Sequence, residues 1–471
     1  MRLKSIELLE NLTKFIIIRV LITNVKKIFI GVIMENRNKF SSKWGFIMAC
    51  VGSAVGLANV WAFPYQLGAN GGLAFLLPYL IFAFIFGRVG LAAENAIGRK
   101  YKSGPMVVYR EAYKKRNMEK FGRVIRWLPM IGVGLLAIGY AVVITYVLKA
   151  LIDTASGNIF EIESATWFES ISSSDFKVII PHLILMILVY FALAYETKGI
   201  EKTNKLIMPL FFILFLILAI RVFFLEGAIE GYKFIFNLDV AKLKDIKTWV
   251  AAMGQAFFSL SLVGTVMVVY GSYLPDDEDV IESSTITMSL DTLSAMISSF
   301  VMLPACFAYG FSPESGPKLL FVVLPQALKE MPLGRLYGII LFLAVVFAGI
   351  SSIQSMLETI TEAIVYSFPK LKRKIVLTAL ITTIYLVGIF IEPISKWGPW
   401  MDIVTIYILP ISGIIGAITW FWVIKKEELL AEVNKNVENK YGNAWYYTGK
   451  FIFVPLAIAL CFIAMRYHIS F

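Results

Sequence analysis

Charge is scarce in this chain: 16% of its 471 residues are Asp, Glu, Lys or Arg, against about a quarter in a soluble domain. Cysteine and histidine are scarcer still. Cys50, Cys306 and Cys461 lie in apolar runs at no metal-ligand spacing, and His182 and His468 stand alone, so neither a disulfide scaffold nor a zinc site is supported. A nucleotide-binding loop, a catalytic cluster and a soluble domain are also missing, which argues against an enzyme, and the composition argues against a nucleic-acid partner. What fills the chain is hydrocarbon, with 58% apolar residues and a mean hydropathy of +0.74. Its solvent is therefore the lipid bilayer, and the net charge of +11 is first a matter of topology.

Apolar runs of about 20 residues predict eleven spans, near 44–66, 72–93, 127–150, 178–194, 206–225, 248–272, 286–310, 337–365, 375–391, 400–424 and 451–466. An earlier run, Phe15 to Ile33, is broken by Arg19, Asn24, Lys26 and Lys27 and makes a poor span. Met34 and the polar stretch after it resemble a natural N-terminus. We therefore read 34–471 as a single membrane domain and 1–33 as an upstream extension of the reading frame; the alternative is an interfacial amphipathic segment. Between spans two and three, Arg99 to Arg126 carries ten basic residues against Glu111 and Glu119, which marks that loop as cytoplasmic. The next loop, Asp153 to Asp175, is acidic and belongs outside. Lys370 to Lys374 again falls inside, and so does the acidic Pro275 to Asp279, an exception that matters little because acidic residues orient weakly. The N-terminus is then cytoplasmic and the C-terminus outside.

Two spans are interrupted by small and polar residues at mid-membrane depth. The first holds Gly52-Ser53-Ala54-Val55-Gly56-Leu57-Ala58-Asn59, and the sixth holds Gly254-Gln255-Ala256-Phe257-Phe258-Ser259-Leu260-Ser261-Leu262-Val263-Gly264-Thr265. Gly52 and Gly56 alone fit close helix packing. Two breaks five spans apart instead suggest an inverted repeat, about 40–225 against 247–424, with 451–466 added. Freed backbone at such depth is tolerated where it lines a cavity, and transporters use it there to bind ions and substrate.

These two runs, the continuation Val60-Trp61-Ala62-Phe63-Pro64 with Asn70-Gly71-Gly72, and Ala348-Gly349-Ile350-Ser351-Ser352 resemble, in matching order over residues 40 to 466, the neurotransmitter:sodium symporter family, especially its eleven-span prokaryotic amino-acid transporters. The resemblance implies an all-α membrane protein with a LeuT-type 5+5 inverted repeat plus one helix, spans 1 and 6 being unwound, that carries amino acids across the cell membrane with Na+. One sodium ion would use the carbonyls of Gly52, Val55 and Ala348 and the hydroxyls of Ser351 and Ser352; an isolated Ser-Ser pair would more often bond back to its own helix. The other would use the Ala54 carbonyl, Asn59, Ser259 and Asp291 with the substrate carboxylate. The family usually has Asn where Asp291 stands, and supplies a negative charge from Glu, or from chloride, at the position of Ala295. Asp291 would therefore replace that charge and make transport independent of chloride; the alternative is an Asp paired with a hydroxyl or with a protonated Glu94.

The amides of Leu57 and Ala58 and the Tyr140 hydroxyl would take the substrate carboxylate, and the carbonyls of Ala54, Phe258 and Ser259 the ammonium. Gly56, where monoamine carriers have Asp, favours an amino acid. The side-chain pocket would be Leu136, Tyr140, Phe258, Ser261, Gly264, Ser352 and Met356, and Gly264, smaller than its usual counterpart, favours bulky aliphatic or aromatic substrates. Ala58, where Gly is usual, works the other way. Each methylene is worth only about 1–3 kcal/mol of discrimination, so the individual amino acid is not legible.

Tyr140 and Phe258 would form the outer lid. The family's outer Arg–Asp pair is replaced by Ala62 and Thr405, with Asp402 nearby, which implies an apolar or hydrogen-bonded outer gate. Inside, Arg37 and Phe40 match the family's Arg and Trp, but its span-eight Asp aligns with Tyr366, leaving the inner pair open. The rival readings are a proton-coupled carrier working through Asp291 or Glu94, and a non-transporting sensor or a channel on the same scaffold. Which amino acid, how many Na+ ions and what oligomeric state are not written in the sequence.

Overall fold

Continuous apolar runs fold as helices in hydrocarbon because each backbone N–H must find its carbonyl within the segment. The computed structural model of the chain describes residues 39–313 and 319–468. Met1–Lys39 and Phe40–Phe471 are separate units; the helices below belong to the second, and the expectations for residues 1–33 and for Arg37 lie outside the described residues.

The main helices are α1 (Lys43–Ala54), α2 (Ala58–Ala69), α3 (Leu73–Tyr101), α4 (Glu119–Ser156), α5 (Ile179–Leu193), α6 (Glu196–Phe223), α7 (Ile246–Ser259), α8 (Val266–Ser272), α9 (Val280–Ala308), α10 (Gly334–Ser367), α11 (Arg373–Phe390), α12 (Ile394–Val423) and α13 (Asn443–Tyr467). Eight of them are long and apolar enough to cross a membrane, and the bent pair α1 and α2 makes a ninth. The other two expected spans coincide with α5, apolar but only 15 residues long, and with the interrupted pair α7 and α8. Among the described residues, the one departure from helices and loops is an isolated bridge between Gly72 and Leu238.

Both interruptions fall at the small-residue runs. α1 stops at Val55, which is extended, and α2 leaves at 59° to it. Asn59 accepts from the Gly56 amide at 3.1 Å, satisfying a donor that the break sets free. Between α7 and α8 the chain passes through positive φ at Ser261 and again at Gly264. α4 packs along α10, α6 lies against α1 and α10, and α8 lies against α3, which sets both breaks in the protein interior.

Contacts between loops sort them into two ends. At one end Lys102 and Lys435 reach Asp276 at 2.6 and 3.0 Å, and Arg99 bonds Glu432 and the Glu278 carbonyl. At the other, Lys396 meets Asp175 at 2.7 Å, Arg335 reaches the Ala155 carbonyl, and Lys242 reaches the Ala69 carbonyl. The acidic Pro275 to Asp279 stretch thus lies beside the basic residues that end α3. Burial raises the Asp276 carboxyl, but hydrogen bonds and charge from Lys102 and Lys435 outweigh it and hold it at about 2. Asp279 caps α9, accepting from the amides of Ile281 and Glu282.

Candidate functional site

The break between α1 and α2 opens onto a cavity of about 360 Å³. Of the residues expected to hold substrate, Ala54, Gly56, Leu57, Ala58, Leu136, Tyr140, Phe258, Ser261, Ser352 and Met356 line it. The Tyr140 hydroxyl accepts from the Leu57 amide at 3.0 Å, so a phenol and a freed backbone donor meet at the cavity wall. Val133 and Val143 on α4, with Val263 and Val266, add aliphatic surface to the lining.

Two expected members lie elsewhere. Ser259, expected to offer the ammonium its carbonyl, is not among the lining residues, and its hydroxyl bonds Asp291. Gly264 is buried off the cavity, at φ 72°, where its carbonyl accepts from the Tyr109 hydroxyl at 3.0 Å. A Cβ there would strike that hydroxyl and lie 3.2 Å from Gly416 Cα. This glycine answers a backbone requirement and does not enlarge the pocket, which corrects the expectation from sequence; Val263 and Val266 form the wall in its place.

Asn59, Ser259 and Asp291 form a single buried cluster. Asn59 Nδ2 donates to Asp291 Oδ1 at 2.7 Å and to the Asp291 carbonyl at 3.0 Å, and Ser259 Oγ donates to the carboxylate at 2.8 Å. Among the described residues no Lys or Arg pairs with Asp291, so its charge is met by dipoles alone. Glu94, the other carboxylate considered, accepts from the Gly264 amide at 2.9 Å through Oε1, while its Oε2 is buried without a hydrogen-bond partner. A few ångströms of hard oxygens around an unpaired carboxylate suit a small monovalent cation.

The second cluster joins α10 to the break. Ser352 Oγ donates to the carbonyls of Val55 at 3.2 Å and Gly52 at 3.4 Å, bridging to another helix. Ser351 instead donates to Ala348 O at 2.8 Å within its own helix, the back-bonding an isolated serine would show. All five groups expected around an ion are in this cluster, and every one is an oxygen.

At one rim of the cavity stand Trp61, Ala62, Tyr65, Gln66, Trp397, Met401 and Thr405, among them the Ala62 and Thr405 that replace the family's ion pair. Asp402 is exposed and off the rim. Gln255, also on the wall, donates to the Ala58 carbonyl at 3.0 Å. At the opposite end Phe40 is buried edge-on to Phe46, Tyr270 and Tyr273. Tyr366 takes no part in an ion pair there; its ring receives the Arg110 guanidinium at 6.0 Å. The pair at this end is Glu358 with Arg373 at 2.5 Å, and Tyr273 donates to the same carboxylate at 2.7 Å. Sequence reasoning missed it, although a carboxylate inside a span is itself a signal.

The profile of the sodium:neurotransmitter symporter family matches residues 37–160 and 150–470. The chain is 32% identical over 451 residues to an uncharacterized sodium-dependent transporter, YhdH, of Bacillus subtilis, covering 92% of this chain and 98% of that protein. It is 24% identical over 480 residues to the sodium-dependent serotonin transporter of Drosophila melanogaster, covering 90% of this chain and 76% of that one. The crystal structure of MhsT in complex with L-phenylalanine superposes with a TM-score of 0.81 at 31% identity, over 91% of this chain and all of that one. Helices interrupted at two buried polar clusters, with a cavity between them, are thus the architecture of a sodium-dependent symporter, and the chain belongs to the sodium:neurotransmitter symporter family.

Proposed function

We propose that this symporter imports bulky hydrophobic or aromatic amino acids across the cell membrane by alternating access, with its N-terminus cytoplasmic and eleven crossings. The observation that carries the reading is the 360 Å³ apolar cavity that ends on the Leu57 amide and the Tyr140 hydroxyl. A substrate carboxylate finds the Leu57 amide and the Tyr140 hydroxyl at the break, and the largely apolar remainder of the cavity suits a large side chain. The phenylalanine in the MhsT structure supports the same class. The segregation of loops supports the topology, since the basic Arg99 to Arg126 loop shares its end with Asp276 and Lys435.

Sodium is a co-substrate here. One ion sits among Asn59, Ser259, Asp291, the Ala54 carbonyl and the substrate carboxylate; the other sits among Gly52, Val55, Ala348, Ser351 and Ser352. Moving one charge through about 100 mV is worth roughly 2.3 kcal/mol, so two ions supply about 4.6 kcal/mol, enough for more than about a thousandfold accumulation. Asp291 supplies the negative charge beside the first ion, and transport needs no chloride.

The test is uptake of a panel of labelled amino acids into proteoliposomes, with an inward sodium gradient and again with potassium or choline in its place. Uptake of large apolar amino acids only with sodium is the expected result. Uptake driven without sodium by an acidic exterior would transfer the role of Asp291 to the proton, and binding without uptake would point to a sensor. Replacement of chloride by gluconate leaves the rate unchanged; a fall would show that Asp291 does not stand in for the anion.

A further inference from the structure

Beside the Gly52, Val55, Ala348, Ser351 and Ser352 cluster stands a residue that neither the motif nor the resemblance singles out. Asn204, on α6, is fully buried. Its Nδ2 donates to the Ile200 carbonyl at 2.9 Å and to Gln354 Oε1 at 3.3 Å. The Gln354 amide is itself fixed, because its Nε2 donates to the Ala192 carbonyl at 3.0 Å. Both neighbours of Nδ2 are acceptors, so the amide cannot be turned over without facing two oxygens with a third. Asn204 Oδ1 is therefore held on the opposite side, and there it accepts no hydrogen bond.

That side is the ion cluster. Oδ1 lies against Gly52, where an added Cβ would collide with it and would come within 3.1 Å of Ser351 Cβ. A buried carbonyl oxygen with no donor costs about 1–3 kcal/mol in a dry interior. The groups that the structure sets beside Oδ1 from α1 and α10, Gly52 and the Ser351 Cβ, offer it no hydrogen-bond donor, and a cation in the adjacent cluster would satisfy it. Neighbouring Ser351 spends its hydroxyl hydrogen on Ala348, so it offers Asn204 nothing.

We propose that Asn204 Oδ1 is a further oxygen for the sodium ion held by Gly52, Val55, Ala348, Ser351 and Ser352, approaching it from α6. The proposal rests on the assignment of that cluster as a sodium site. It makes α6 part of the ion-binding machinery, so that occupancy of the site draws α6, α1 and α10 together through one ion.

The test measures equilibrium binding of labelled phenylalanine, and of sodium-22 itself, to the purified full chain as sodium is varied. Asn204→Ala raises the half-saturating sodium concentration about tenfold, the size of one contact to a charged group, while phenylalanine affinity at saturating sodium is unchanged. Asn204→Asp lowers it, since a carboxylate oxygen attracts the ion more strongly. A purely structural Asn204 gives the opposite sign, because Asp loses both donors to Ile200 and Gln354. This second variant decides the matter even if the alanine variant fails to fold. Ser352→Ala is the control for the underlying site. A raised sodium requirement in Ser352→Ala with none in Asn204→Ala, or an unchanged or weaker response in Asn204→Asp, overturns the proposal alone. No shift in either Ser352→Ala or Asn204→Ala removes the sodium site and the proposal together.

Discussion

Gly56 and Tyr140 meet at the break in the first span with no room to spare: a Cβ on Gly56 would strike the Tyr140 hydroxyl and come within 2.8 Å of Ser352 Oγ. The hydroxyl is held there by the Leu57 amide, and a substrate carboxylate at the same place would receive both donors. Tyr140→Phe should therefore weaken amino-acid binding about tenfold or more, the cost of one hydrogen bond to a charged group, with the sodium requirement unchanged in the same titration. Gly264 is the contrasting case. Its φ of 72° and its contact with Gly416 predict that Gly264→Ala costs about 1–3 kcal/mol of stability. Thermal unfolding of the purified protein measures this, and the order of preference among amino acids should stay as it was. A shift toward smaller substrates would return Gly264 to the pocket wall.

Among the elements, the interior end opposite the cavity rim is closed by α10, α11 and the turn after α8. Glu358 joins all three, through Arg373 and the Tyr273 hydroxyl. Breaking a buried pair by removing one charge typically costs about 3–5 kcal/mol, because the other charge is left uncompensated. Glu358→Gln should loosen this closure selectively. Cys50, fully buried on α1 near Tyr270, is a native reporter. In a background with Cys306→Ser and Cys461→Ser, alkylation of Cys50 should run several-fold faster in Glu358→Gln than in its parent. An unchanged rate would mean that Glu358 does not hold this end shut.

How much of this was legible in the sequence depends on the range of the interaction. The spans were readable because hydrocarbon demands long apolar runs, and the two breaks because glycine and polar residues at mid-depth have few other uses. Asn59, Ser259 and Asp291 were gathered by the resemblance, and the structure brings their side chains into contact. The Glu358–Arg373 pair was not, because its members face each other only after the chain turns from α10 into α11. Gly264 was misassigned for a similar reason: sequence shows a missing side chain, whereas the sign of φ decides where that side chain would point. The extended conformation of Val55 and the positive φ at Ser261 are set by packing around each break.

For the whole molecule, the two sets of loops make a prediction about sidedness. Single cysteines introduced at Asp277 and at Glu169, in a background without the three native ones, should label from opposite faces of intact cells. A membrane-impermeant maleimide should reach position 169 and leave 277 untouched until the membrane is opened. Labelling of both from outside would break the assignment of Arg99 to Arg126 as cytoplasmic.

The cavity rim, where Trp61, Tyr65, Trp397 and Met401 outweigh the polar Gln66 and Thr405, has a thermodynamic consequence. A gate shut by an ion pair draws its closing energy from charge and weakens as salt is added. A rim of rings and thioether closes by shedding water from apolar surface, so closure should carry a negative heat-capacity change and respond little to ionic strength. Its driving force fades on cooling. In the cold this transporter should stall with its rim open, holding substrate loosely, and regain a tight occluded state as the temperature rises.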